Sequence, residues 1–515
     1  MESNKFVKGA LILTLAGLIS KILSAGYRIP LQNLTGDIGF YIYQQIYPII
    51  GITLILALYG FPTAISKLTA EAEDISFKYF MLPIWAISFG LSSFFALLLY
   101  LSADEIAIFV GDKELASGYK IASILFLVIP FTALLRGVFQ GKSDMKPTAY
   151  SQIGEQLFRV SIIIGIASLV AVHGLDIYWI GNMAGIAAIF GSVVAFVILV
   201  YFYVKNKPVK KVNRNIPWKY YSKTIVVYGF IAALSHMILL IIQFADSFTV
   251  VPGLMESGLT NQEAMEAKGV FDRGQPLIQI GAVLGSSFGL ALIPSVIKGA
   301  VYPGESLAFD KIGSSLKISF YLAWAASLGL ILLFPEVNRL LYEDNHGDIA
   351  LMILMSAVLL SSITITSSSI LQGLGFIKWT AVYIVLAFIM KWLLNIWFVP
   401  HFGIVGGAIG TVASLLFLTI ATIIKLKQTS PHGKLLTVKW KPFLTATIGM
   451  VAFLLIADAI LPTESFSRLA LLFTVLLLSG IGAVIYIGLL IRFKAFSEKE
   501  LHLIPFGAKF RRSNK

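Results

Sequence analysis

Eight charged side chains fall inside the long apolar runs of this sequence: the cations Lys21, Arg28, Arg136, Arg159 and Lys391, and the acids Glu155, Asp246 and Asp458. A charge at the centre of a bilayer-spanning helix costs about 2.5–3.5 kcal/mol on insertion scales. Such groups turn to each other, to a watery cavity or to a ligand. The surplus is cationic, and a cavity of lowered dielectric lined with cations attracts an anion. Arginine can also grip a phosphate through two parallel hydrogen bonds. Lys21 and Arg28 stand in "GLISKILSAGYRIPL" (17–31). They are about two helical turns apart, so a helix would carry both on nearly one face.

Each charge also has a plainer role open to it. Lys21 lies about 20 Å along a helix from Lys8, too far to reach the near surface easily, so a cavity role is expected. Arg28, near the outer end, either snorkels or lines the cavity, whereas Arg136, near the inner end, is expected to snorkel. Glu155 and Arg159 are four residues apart and either pair with each other or meet a ligand. Lys391 has no acid within a turn of it in sequence and is a cavity candidate. Asp246 is a candidate counter-ion for Lys21, Arg28 or Arg273, and Asp458 is read as a bland outer-end residue.

The elements that position these groups are transmembrane helices. Of 515 residues, 57% are hydrophobic and 13% charged; soluble domains carry about 25% charged residues. Mean hydropathy is +0.85. Fourteen candidate spans lie near 8–30, 40–67, 79–101, 117–140, 149–172, 178–204, 221–250, 275–298, 313–334, 349–372, 379–399, 403–425, 441–461 and 467–491, each about 20 residues or more. Lys5 and Lys8 ahead of the run 9–20 have the shape of a signal peptide. No cleavage signature follows, so the run is read as the first span. The runs are too long and continuous for a β-barrel.

Charge alternates between the connecting segments. One side collects 29 of the 40 Lys and Arg residues, the other only Lys113, Lys120, Lys268, Arg273, Arg339 and Arg468, with 15 of the 27 acids. The excess of Lys and Arg on one side puts both termini in the cytoplasm. The net charge of +13 is thus spread over a membrane face, where it suits anionic lipid headgroups, and no nucleic-acid partner is expected.

Two stretches recur at one spacing. "YGFPTAISK" (59–67) resembles "LALIPSVIK" (290–298), and "LLRGVFQG" (134–141) resembles "TSSSILQG" (366–373); Pro62 and Pro294, like Gln140 and Gln372, are 232 apart. The shift carries span 2 onto 8 and span 4 onto 10. An even number of spans keeps both copies in one orientation, as in parallel repeats about an axis along the membrane normal. The expected architecture is all-α: an N-terminal lobe of six helices (1–204), a basic linker (205–220), a second six-helix lobe (221–426), and two further helices with a basic tail (427–515). Two lobes about a central cavity is a transporter plan, and Pro48, Pro62, Pro130 and Pro294 supply bends.

Other motifs carry little. "RGVFQGKS" (136–143) is one residue short of a P-loop and follows no strand. No H-E-x-x-H occurs and the six histidines are scattered, so no metal is expected. The "NLT" at 33–35 fits a glycosylation sequon, but a three-residue match carries little weight. With no cysteine and no nucleophile–base constellation, nothing argues for an enzyme, and no cofactor is expected.

The segments "ALILTLAGLISKILSAGYRIPL", "GFPTAISKLTAEAE", "LLRGVFQGKSDMKPTAYSQIGEQLFRVS" and "FDRGQPLIQIGAVLGSSFGLALIPSVIK" resemble the stage V sporulation protein B branch of polysaccharide-export proteins. These are related to the MurJ-type lipid II flippases within the multidrug/oligosaccharidyl-lipid/polysaccharide exporter superfamily. The resemblance covers nearly the whole chain. It implies alternating-access flipping of an undecaprenyl-pyrophosphate-linked saccharide across the bacterial plasma membrane, with membrane lipids and the envelope-synthesis machinery as partners. It also implies two essential cations on helix 1 and an arginine opening helix 8, which match Lys21, Arg28 and, in "FDRGQP", Arg273. Lysine stands where those flippases carry the first arginine, which weakens bidentate grip. "GFYIYQQIYP" lacks the helix 2 acid of some of them. Glu155, Arg159, Asp246 and Lys391 are further cavity candidates, coupling to membrane potential or a monovalent cation is open, and a monomer is expected. Two other readings stand beside this one: a cation-coupled multidrug exporter of the same superfamily, which would want unpaired acids in its cavity, and a non-transporting scaffold for envelope assembly.

Overall fold

The computed structural model describes residues 2–72, 75–205, 216–301, 307–429, 435, 437–497 and 500. Among them every regular element is a helix. Backbone in hydrocarbon must satisfy its own hydrogen bonds, and a helix does so within one segment. Eleven helical stretches are long and apolar enough to cross a membrane. Their outward faces carry large apolar side chains, such as Leu101, Phe94 and Val484, all more than half exposed. The chain is a multi-pass membrane protein.

It divides into two compact units. The first holds residues Met1–Asp272 and the short return segment Asn395–Gly403. Its helices are α1 (Glu2–Gly26), α2 (Arg28–Ile55), α3 (Phe61–Glu71), α4 (Leu82–Val110), α5 (Ala116–Gly141), α6 (Lys146–His173), α7 (Trp179–Lys205), the short α8 (Trp218–Lys223) and α9 (Gly229–Leu234), α10 (Ile238–Glu256) and α11 (Asn261–Asp272). The second holds Arg273–Leu394 and Ile404–Lys515, with α12 (Gly274–Val301), α13 (Leu307–Leu332), α14 (Phe334–Tyr342), α15 (Asp348–Gly373), α16 (Ile377–Thr429), α17 (Trp440–Ile460) and α18 (Arg468–Arg492). Most of the expected basic linker, 206–215, lies outside the described residues, as does the tail 501–515.

Two helical runs break at glycines in backbone that L-residues avoid. Gly36 inside α2 has φ 66° and ψ −173°, and Gly403 inside α16 has φ 58° and ψ −141°. Pro400 precedes the second break and removes a helical N–H there. Pro48 and Pro130 lie inside α2 and α5. Pro62 follows a widened helical turn, Leu56–Gly60.

One segment departs from the sequence reading. Residues 251–274 were expected to be an outer connection, yet α11 forms there and packs on α2. Its start is a capping box: Thr260 and Glu263 bind each other's backbone N–H, at 2.9 Å from the Thr260 nitrogen and 3.4 Å from the Glu263 nitrogen. The Lys268–Asp272 pair, one turn apart, is wholly buried, so two residues of the expected outer connection belong to the core.

Packing in unit 1 uses small residues to bring helices close. At Gly191 on α7, a Cβ would stand 2.9 Å from the Glu155 carbonyl oxygen on α6 and 3.4 Å from the Glu155 Cγ. In unit 2 the core of α13, α17 and α18 is aromatic: Tyr321 stacks on Phe443 at 5.9 Å and meets Phe496 edge-on at 5.4 Å. We expect Gly191→Ala to push α7 off α6 and cost about 1–3 kcal/mol, the usual range for overpacking. A fluorescence-detected melting curve in detergent that matches wild type would refute this contact.

Candidate functional site

The α1–α2 junction holds the first expected pair. Gly26 ends α1 and Tyr27 makes the turn, so Arg28 begins α2 with its side chain aimed inward, 0% exposed. Tyr47 lies about three turns after the Gly36 break, and its ring sits 3.9 Å from the Arg28 guanidinium carbon. Tyr43 packs against Tyr47 at 5.7 Å and meets Tyr27 edge-on, the Tyr27 and Tyr43 hydroxyls touching. The three phenols face Arg28 electrostatically. None of its three nitrogens makes a hydrogen bond of normal geometry among the described residues. A desolvated cation–π contact is worth about 2 kcal/mol, while the effective penalty for burying an ion is several kcal/mol. An oxyanion would complete this site.

Lys21 stands in other surroundings. Its surface is open. Lys21 acts electrostatically on His236, which stacks on Tyr59 at 4.0 Å. Tyr59 in turn lies beside Gln152. A basic wall with aromatic and amide neighbours results, all within unit 1.

Arg136 does not snorkel. It is 1% exposed and donates to Glu155 Oε2 at 2.7 Å and to Ser151 Oγ at 3.1 Å. Glu155 therefore pairs across α5 and α6 with Arg136 and not with Arg159, its neighbour one turn along. Ser151 and Glu155 are themselves a turn apart on α6 and present two acceptors to one guanidinium. In low dielectric that fit outweighs the reach to water. Arg159, nearly buried, donates instead to Gln156.

Asp246 on α10 accepts from Asn395 Nδ2 at 2.8 Å, and Asn395 also reaches Thr249 at 2.7 Å. These bonds tie the return segment to α10. Lys391 is 0% exposed and donates to the Gly407 carbonyl at 2.7 Å and to Thr411 Oγ1 at 2.8 Å, stitching α16 across its own break. Arg273 is 1% exposed and grips Asp344 with both forks, at 2.6 and 2.9 Å. Its carbonyl accepts from the Tyr342 hydroxyl at 3.0 Å. Burial would raise the Asp344 carboxyl, but Arg273 and the His346 N–H hold it below the ordinary carboxylate range. Sequence reasoning missed Asp344, and the 232-residue spacing from Asp112 was the signal for it.

Removing one member of a buried ion pair strands the other charge, typically at about 3–5 kcal/mol. We expect Glu155→Gln and Arg136→Met each to lower the melting temperature sharply, and the double variant to recover much of the loss. Additive losses across that cycle would contradict the pairing.

Comparison with known proteins fits this layout. Residues 6–299 match the polysaccharide biosynthesis protein family. Over 98% of its length the chain is 36% identical to an uncharacterized membrane protein, YabM, of Bacillus subtilis strain 168, covering 95% of it. It is 27% identical to that organism's lipid II flippase MurJ, over 81% of this chain and 82% of the flippase. It is 23% identical to its stage V sporulation protein B, over 98% of both. Among solved structures, the inward closed conformation of a lipid II flippase MurJ shares the fold, with TM-score 0.67 at 15% identity over 93% of this chain and all of that one. An inward-facing multidrug resistance transporter of the MATE family gives 0.55 at 15% identity, over 82% of this chain and 99% of its own. The match over more than half the chain, together with a 36% identical full-length relative, settles the lineage: this chain belongs to the polysaccharide biosynthesis protein family.

Proposed function

We propose that this protein flips an undecaprenyl-pyrophosphate-linked saccharide, lipid II or a related envelope precursor, across the bacterial plasma membrane by alternating access. Lys21, Arg28 and Arg273 take the diphosphate, both termini are cytoplasmic, and movement is coupled to the membrane potential or a monovalent cation. The observation that carries this reading is Arg28, sealed from solvent among three phenols, with no hydrogen bond of normal geometry to its nitrogens among the described residues. A diphosphate offers the oxygens such a group lacks. The kinship with a lipid II flippase supports the same substrate class.

We read fourteen crossings. The eleven stretches include Leu15–Glu71 and Ile377–Thr429, of 57 and 53 residues. Unbroken, each would run roughly 80 Å against a hydrocarbon core of about 30 Å. Each is broken at a glycine and supplies two crossings, and the 28-residue α12 supplies the last. A twofold repeat is supported by the turns after α5 and α15. Three backbone bonds, Lys142 to Val138, Ser143 to Gln140 and Asp144 to Phe139, recur as Leu374 to Ile370, Gly375 to Gln372 and Phe376 to Leu371. Ser143 and Gly375 both take positive φ.

The fold is also that of multidrug transporters, so export of organic cations is the second reading. It predicts drug resistance on overexpression without an envelope phenotype. Under the first reading, Lys21→Ala, Arg28→Ala and Arg273→Ala each lose most flipping of a fluorescent lipid II in proteoliposomes while still inserting. Each also fails to rescue a strain depleted of its lipid II flippase. Full activity in all three variants would remove the site assignment.

A further inference from the structure

The turns that follow α4 and α14 are built alike. Gly111 and Glu343, 232 apart, both take left-handed backbone, with φ 93° and 68°. Their N–H groups reach back to the Ala107 and Arg339 carbonyls. An aspartate comes next in each. Asp112 accepts from the Glu114 N–H at 3.1 Å, and Asp344 from the His346 N–H at 2.8 Å. Each carboxylate then faces one side chain from earlier in the chain. Asp112 accepts from the Tyr178 hydroxyl at 3.0 and 3.1 Å, with the Tyr41 hydroxyl on α2 facing it electrostatically. Asp344 holds Arg273, just ahead of α12, through two bonds. Tyr41 and Arg273 are again 232 apart.

The comparison separates what the turn needs from what it carries. In the first copy a neutral phenol completes the tie. In the second a full positive charge does, which the backbone does not require. The two aspartates also differ in access. Asp112 is 3% exposed, whereas the Asp344 side chain is 30% exposed, so only the second can leave its partner for water at modest cost.

We propose that Asp344 is a displaceable counter-ion. It neutralises Arg273 while no substrate is bound, and yields the guanidinium forks to phosphate oxygens when a diphosphate arrives. Asp344 is thus a positioning residue that acts through Arg273, and the inference rests on the reading of Arg273 as a diphosphate ligand. A resident carboxylate lowers apparent affinity by the fraction of time it occupies the site. It rejects singly charged anions that cannot outcompete it, a form of specificity through an unfavourable alternative.

The test follows phenylglyoxal modification of Arg273 by peptide mass spectrometry in the purified full-length protein, with inorganic pyrophosphate as protectant. Asp344→Asn and Asp344→Ser both remove the charge and keep an acceptor for the His346 N–H, so either folded variant serves. The expected result is modification about tenfold faster than wild type and protection at about tenfold less pyrophosphate. Asp344→Glu should return both toward wild type, and Arg273→Tyr, copying the first repeat, should keep the wild-type melting temperature. Protection of wild type with an unchanged midpoint and rate in the charge-removed variants overturns this inference alone. Faster modification without protection in any form overturns the displacement and, with it, the diphosphate reading of Arg273.

Discussion

A guanidinium cannot lie in an apolar helix bundle without something to receive its five N–H groups. That constraint organises both units. Arg136 meets it with Glu155 and Ser151, Arg273 with Asp344, and Lys268, an ammonium under the same constraint, with Asp272. Lys391 is held by a carbonyl and a hydroxyl. Arg28 departs from the pattern: phenols surround it, and its nitrogens make no hydrogen bond of normal geometry among the described residues. Arg159 Nε is also without a partner among the described residues, but only Arg28 has all three nitrogens so placed there, and this points to a ligand.

The charged groups thus separate into two kinds. Arg136–Glu155, Lys391–Gly407 and Asp246–Asn395 fasten helices to one another, and their loss should appear first as lost stability. Lys21 and Arg28 fasten nothing comparable. Lys21 has an open surface beside His236, and Arg28 packs among three tyrosines. Arg273 stands between the two kinds, held by a carboxylate that is partly open to solvent. The tyrosines around Arg28 keep it buried in low dielectric, where an anion is bound more strongly than in water.

Much of this was legible in the sequence. Apolar runs fixed the helical class, and the few charges inside them named the residues worth following. The 232-residue spacing pointed to turns whose hydrogen bonds recur at that offset. What escaped was partner choice. One-dimensional spacing favoured Glu155 with Arg159, a turn apart, but interhelical geometry offered Arg136 two acceptors at once. The helix Asn261–Asp272 was missed because its polar composition suits a loop, although "TNQE" (260–263) was a capping signal. Asp344 was missed because its role depends on a side chain 71 residues away.

Titration of undecaprenyl pyrophosphate into the detergent-purified protein, with and without Arg28→Gln, reaches the central claim most directly. The account predicts saturable binding by the wild type and a loss of more than about tenfold in the variant, the scale of a lost charge-assisted hydrogen bond. Equal affinity in the two, with both folded, would contradict it.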